Sequence, residues 1–131
     1  MAKSPSITDA EWQVMKVLWD RSAQWLAAAE IIEPISRQRQ VHHRTVRTML
    51  ARLARKGAVE TRPAASGSGY LYRAKVGRET AVRVESRSFL SRVFDGNAAP
   101  ALVHFLKESR DLLSPQEIKE LQALFNKKEK P

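Results

Sequence analysis

The sequence predicts a mainly α-helical protein with one small β-hairpin, in which residues 1–75 form one domain and residues 76–131 a helical region. Three observations predict this fold class. Apolar residues recur at helical spacing in six segments, and two Ser/Thr-x-x-Glu motifs mark helix starts. One pair of strand-like segments encloses a stretch that is rich in glycine and serine.

The first helix is predicted over residues 9–19. Thr8 and Glu11 have the spacing of a capping box, in which each side chain bonds the other residue's backbone amide. Trp12 and Trp19 share an apolar stripe of this helix. We therefore expect them to pack in the core rather than to form a ligand cage with Trp25.

A proline is expected to limit the second helix. A short extended piece is predicted at residues 25–26, followed by a helical pattern over residues 27–35. Pro34 lacks a backbone donor and clashes with the preceding turn, so this helix should end or kink near Glu33. Residues 36–40 are then expected to form a polar, basic connection.

The third helix, predicted over about residues 43–56 and ended by Gly57, carries the strongest functional signal. Residues 34–59 contain seven basic side chains and no acidic one. A solvated charged face is the alternative interpretation, but the lack of acidic partners at helical spacing argues against it. Arginine and threonine suit the base edges and phosphates of double-stranded DNA. The predicted DNA contacts are His43, Arg44, Thr45, Arg47, Thr48, Arg52 and Arg55, with Lys56 as a further phosphate contact.

A β-hairpin is predicted from residues 58–62 and 70–73, joined by a flexible tip. Arg62 and Arg73 are expected to contact backbone phosphate, together with serines of the tip; a plain surface loop is the alternative for each residue. The order helix, short strand, helix, helix, hairpin predicts a winged helix-turn-helix DNA-binding domain.

The charge distribution points to the same half of the chain. The net charge is +9 and the sequence pI is about 10.4. Residues 1–75 carry a net charge of +7, whereas residues 76–131 carry only +2. A localised positive field of this kind indicates a nucleic-acid partner.

Three further helices are predicted over residues 78–94, over residues 100–110 and from residue 115 onward, the last after a second capping box at Ser114 and Glu117. They are too short to bury a core of their own. We expect a C-terminal three-helix dimerisation region that closes against a second copy of the chain. Its predicted contacts are Phe89, Leu90, Val93, Leu102, Leu106, Ile118, Leu121, Leu124 and Phe125.

The composition argues against several other classes of protein. There is no cysteine, which excludes disulfides and thiolate metal sites, and the three histidines do not predict converging ligands, so neither a metal nor a cofactor is expected. No nucleophile–base pair or phosphate-binding glycine loop stands out, so an enzyme is not expected. Without a signal peptide or a membrane-spanning run, we expect a cytoplasmic protein that does not insert into membranes.

Four segments resemble the penicillinase repressor family of the BlaI/MecI type: residues 7–20, 44–57, 70–72 and 89–97. The resemblance covers residues 7 to about 126. It implies a homodimeric repressor whose recognition helices and wings read a two-fold symmetric operator, and whose last three helices interlock. It also implies control of a β-lactamase or related resistance gene, relieved by proteolysis after signalling by a membrane sensor peptidase.

The resemblance places the family's cleavage site before Phe105, so His104–Phe105 is the candidate scissile bond; a core or interface role for Phe105 is the alternative. Copper sensing through a C-terminal cysteine cluster, found in some relatives, is excluded. Two other hypotheses remain open. One is a basic winged-helix module that binds RNA or a protein partner. The other is a repressor switched by a small ligand in the last three helices.

Overall fold

The computed structural model describes residues 5–127, which form six α-helices, one three-stranded antiparallel sheet and a short 3-10 helix. The chain divides into two compact units between Arg87 and Ser88, within α4, whereas the predicted boundary after residue 75 stays a prediction. No helix among residues 5–127 is both long enough and apolar enough to cross a membrane. The elements are α1 (Asp9–Asp20), β1 (Leu26–Ala27), α2 (Ala28–Gln38), α3 (His43–Lys56), β2 (Val59–Pro63), β3 (Tyr70–Ala74), α4 (Arg78–Phe94), α5 (Ala98–Ser109), the 3-10 helix (Arg110–Leu112) and α6 (Pro115–Asn126).

Helix α1 begins at the predicted capping box. The backbone N–H of Thr8 donates to Glu11 Oε1 at 3.1 Å, and the backbone N–H of Glu11 donates to Thr8 Oγ1 at 3.2 Å. Trp12 and Trp19 meet edge to face with their ring centres 5.3 Å apart, and both pack against the core. Their predicted packing role is therefore confirmed.

The prediction that Pro34 ends or kinks α2 near Glu33 was wrong about where this helix ends. The helix continues to Gln38, so the connection to α3 is shorter than the predicted residues 36–40. Burial favours the extra turn, because Ile35 lies in the core at 6% exposure. An ion pair between Arg37 and Glu33, one helical turn apart, also spans this segment.

The sheet joins β1, β3 and β2 in that order, with both neighbouring pairs antiparallel. The core of the first unit lies between this sheet and helices α1 to α3, with Ala81 of α4 at its edge. The helix α3 ends at Gly57, whose φ of +84° is the left-handed conformation that glycine adopts readily. Side chains at the centre of the core are Val14, Met15, Leu18, Leu26, Ile31, Val46, Leu50 and Leu53.

The second unit contains the end of α4 together with α5 and α6. Helix α5 begins at Ala98, two residues before the predicted start. Pro100 therefore lies in the first turn of the helix. A proline is tolerated there, because the backbone N–H groups of the first turn have no helical acceptor. Phe89 stacks on Phe105 with their ring centres 5.7 Å apart. Helix α6 begins at the predicted capping box of Ser114 and Glu117.

Candidate nucleic-acid interface

Helix α3 separates an apolar face from a cationic one. Val46, Met49, Leu50 and Leu53 are buried, which fixes the rotation of the helix about its axis. All the predicted contacts on α3 face solvent: His43, Arg44, Thr45, Arg47, Thr48, Arg52 and Arg55. Within residues 5–127 no ion pair involves any of these arginines, so their charge is uncompensated.

The N-terminal turn of α3 is capped weakly. His42 is the N-cap, and its Nδ1 accepts from the backbone N–H of Arg44 at a long 3.4 Å. One turn later, Thr48 Oγ1 donates to the carbonyl oxygen of Arg44 at 2.9 Å. The hydroxyl proton of Thr48 is therefore used within the helix. The methyl group and the hydroxyl oxygen, as an acceptor, remain available to a partner.

Lys56, at the end of α3, lies at the surface, but its ammonium group is engaged within the protein. Its Nζ forms an ion pair with Glu11, whose side chain is 2% exposed, and donates to the carbonyl oxygen of Ser6 at 3.0 Å. The lysine thus ties the end of α3 to the start of α1. The predicted phosphate contact of Lys56 does not fit this arrangement, and the prediction missed it because the partners are 45 residues apart.

The contact with Lys56 affects the pKa of the Glu11 carboxyl. Its burial alone would raise the pKa, because a charged carboxylate is poorly solvated inside the protein. The hydrogen bonds from Lys56 and Thr8, with the charge of Lys56, outweigh burial and hold the pKa of Glu11 below its ordinary value. Glu11 is consequently a charged group in the core near neutral pH.

The predicted hairpin is formed by β2 and β3 and is called the wing below; its strand β2 contacts α3. Arg62 is exposed near its tip, whereas Arg73 pairs with Glu60 across the two strands. The guanidinium groups of both arginines lie over the ring of Trp25, at 4.5 Å and 4.3 Å from its centre. Sequence reasoning gave Trp25 no part in the wing, and only the pairing of β1 with β3 brings it there.

Each of the two units carries a shallow groove. One of about 260 Å³ lies against the start of α3 and is lined by residues such as Gln13, Arg39 and Thr45. Another of about 340 Å³ lies between α5 and α6 and is largely apolar, with Lys107 and Arg110 in its lining. No group of three or more histidine or acidic side chains within residues 5–127 is placed to hold a metal ion.

The sequence and the fold are similar to those of known proteins. The sequence model described as "Penicillinase repressor" matches residues 7–127. The penicillinase repressor of Bacillus licheniformis is 36% identical over 121 residues, which are 92% of this chain and 90% of that protein. The chain belongs to the penicillinase repressor family. The methicillin resistance regulatory protein MecI of Mammaliicoccus sciuri is 30% identical over 96% of this chain and 98% of that protein.

Solved structures are similar in fold. The solution structure of the DNA-binding domain of the repressor BlaI is similar with a TM-score of 0.51 and 34% identity, over 61% of this chain and 93% of that one. Wild-type MarR from E. coli shares the fold at a TM-score of 0.52 and 20% identity, over 91% of this chain and 75% of that one. The predicted family and winged-helix fold are confirmed, and the penicillinase repressor family is one of transcriptional repressors, not of enzymes.

Proposed function

We propose that this member of the penicillinase repressor family is a sequence-specific transcriptional repressor that reads a two-fold symmetric operator as a homodimer. The observation that carries the proposal is the exposed arginine and threonine face of α3, which has uncompensated charge and lies in a winged-helix domain. The relative with a similar fold is the DNA-binding domain of a repressor.

The two halves of α3 suit different parts of DNA. Arg44, Thr45, Arg47 and Thr48 occupy the first two turns, the part of a recognition helix that meets base edges. Arginine can hold guanine O6 and N7 with two hydrogen bonds, and threonine offers a methyl group to thymine. Arg55 lies in the last turn, where a phosphate contact is the expected role.

The homodimer is supported by the surface of the second unit. Phe125 on α6 is 64% exposed, and this unit contains several other exposed large apolar residues. A stable monomer rarely leaves so many apolar groups in water, and a second copy of the chain would cover them. The exposed members are Val93, Leu102, Val103, Phe105, Leu106, Leu112, Ile118, Leu124 and Phe125.

The proposed relief of repression is cleavage of the His104–Phe105 bond after signalling by a membrane sensor peptidase, in the cytoplasm. This bond lies in the interior of α5, and Phe105 stacks on Phe89. A protease active site generally binds its substrate as an extended strand, so α5 must unwind locally before cleavage. The exposure of Phe105, 46%, leaves the site on the surface of the isolated unit.

Footprinting on the DNA upstream of the gene, with random duplex as competitor and salt varied, tests the proposal. We expect a compact two-fold symmetric footprint, with a preference over random duplex of at least ~10³-fold. The binding constant should fall steeply with salt, because each neutralised phosphate releases counterions. Protection that is equal on random DNA would refute sequence-specific repression and favour the alternative of RNA or protein binding.

One observation favours a different switch. The groove between α5 and α6 combines apolar walls with the cationic side chains of Lys107 and Arg110, which suits a small anionic ligand with an apolar body. In this alternative the ligand, rather than proteolysis, would release the operator. Release of intact protein from DNA by such a ligand would support it, whereas release that requires cleavage of α5 would exclude it.

A further inference from the structure

The outer face of the small sheet carries a cluster of charged side chains. Cα pairing sets Glu60 opposite Arg73 and Arg62 opposite Leu71. Side chains alternate between the two faces of a strand, and Tyr72 packs against the core. Glu60, Arg62 and Arg73 therefore share the face that points away from the core.

Trp25 lies on the same face. It directly precedes β1, whose Leu26 is buried and pairs with Tyr72, so the alternation turns Trp25 outward beside Arg73. The Cζ atoms of Arg62 and Arg73 are 4.5 Å and 4.3 Å from the centre of its ring. Both distances are well within the ~6 Å range of cation–π attraction.

The two arginines differ in charge balance and in place. Arg73 Nε donates to Glu60 Oε1 at 2.6 Å, and the two residues form an ion pair, so the charge of Arg73 is neutralised. Arg62 has no carboxylate partner among residues 5–127. It is exposed and immediately precedes Pro63 at the tip end of β2. Arg62 is thus the wing arginine with charge available for a phosphate.

We propose, on the basis of the DNA-binding function above, that Arg62 is the phosphate-contacting residue of the wing and that Trp25 is the residue that positions it. A guanidinium above an aromatic face keeps its N–H groups free to donate to a phosphate. The stacking also restricts the long side chain before DNA arrives, so less conformational freedom is lost on binding. Trp25 then raises the affinity for DNA without contacting DNA. Arg73 packs on the same ring and pairs with Glu60.

A double-mutant cycle on the full-length protein tests this role. Kd for a labelled duplex that carries the footprinted operator is measured at several salt concentrations for W25A, R62A and the double variant W25A/R62A. We expect W25A to weaken binding by about two- to fivefold, the worth of an exposed cation–π contact. The same change should have no effect in the R62A protein. R62A should reduce the salt slope by about 1, the loss of one phosphate contact.

R73A is the matched control, because it removes the other arginine from the same ring. Because Glu60 already neutralises Arg73, R73A should lower the salt slope less than R62A does. W25F keeps an aromatic face and should recover part of the affinity, and it carries the cycle if W25A does not fold. The proposal would be overturned if a Trp25 substitution weakened DNA binding equally with and without Arg62. It would also be overturned if the salt slope of R73A were as low as that of R62A.

The failure of the proposed function would look different. A wild-type protein that binds operator and random duplex equally would refute only the sequence-specific repressor assignment, because a phosphate contact carries no sequence information and the cycle can be measured on either duplex. A wild-type protein that prefers its operator, combined with additive effects of Trp25 and Arg62, would overturn only the role of Trp25.

Discussion

Replacing Lys56 by methionine should destabilise the protein far more than the same change at the neighbouring Arg55. Lys56 pairs with Glu11, whose side chain is 2% exposed, while 32% of the Lys56 side chain remains in water. Loss of one partner of a fully buried pair costs about 3–5 kcal/mol, and a single hydrogen bond to a charged group is worth about 1.5–3 kcal/mol. Because Lys56 is partly hydrated, we expect the lower range, about 1.5–3 kcal/mol, for K56M.

Urea unfolding followed by tryptophan fluorescence measures this effect, at fixed protein concentration so that self-association does not shift the result. R55M is the matched control: Arg55 is exposed and lacks an ion pair within the described part of the chain, so its replacement should cost less than about 0.5 kcal/mol. Equal destabilisation by K56M and R55M would refute the reasoning.

The pH dependence gives a second readout of the same contact. The pKa of Glu11 in the folded protein lies below its ordinary value, so its stabilisation is present above the ordinary pKa and is lost as pH falls through the folded one. Without Lys56, burial is opposed only by the bonds with Thr8. The difference in unfolding free energy between wild type and K56M should therefore shrink in acid, and a difference that stays constant from pH 7 to pH 3 would contradict this account.

Three other substitutions probe the proposed DNA contacts of α3, the proposed dimer and the proline in α2. R47A should cost about 1–3 kcal/mol of operator binding and relax specificity if Arg47 holds a base; an equal loss on random duplex in gel-shift titrations would contradict that role. L124E places a charge on an exposed apolar side chain of α6 and should weaken dimerisation and operator binding together, as measured by sedimentation and anisotropy; a tight-binding monomer would disprove the coupling. P34A should raise the unfolding free energy by about 2–3 kcal/mol, because a proline in a helix interior is about 3 kcal/mol less favourable than an alanine; an unchanged urea midpoint would contradict this expectation.

The parts of the fold that were predictable from sequence are those encoded by neighbouring residues. The start of α6 follows from the Ser114 capping box, and the bounds of α3 and α4 agree with the prediction because periodicity and end signals coincide. The end of α2 was missed because burial of Ile35 outweighs a local proline penalty, and burial is a property of the whole fold.

In the candidate site, too, the features set by neighbouring residues were predictable and those set by distant residues were not. The exposure of the α3 arginines follows from the spacing of the apolar residues on the same helix, so sequence was sufficient. The pairing of Lys56 with Glu11 and the stacking of Arg62 on Trp25 join residues that are distant in sequence. No local pattern distinguishes a lysine that anchors a helix from one that faces solvent, and both contacts depend on how the elements pack.

The order of strands in the sheet has a consequence for aggregation. β1 and β2 are the two outer strands, and unpaired backbone groups at a sheet edge can recruit strands from other molecules. Here one edge is only two residues long, and the other ends in Pro63, which cannot donate a hydrogen bond, next to the charged Arg62. Both edges are therefore poor templates for a foreign strand. The sheet edges thus offer no second, open-ended route of self-association that would compete with the proposed dimer.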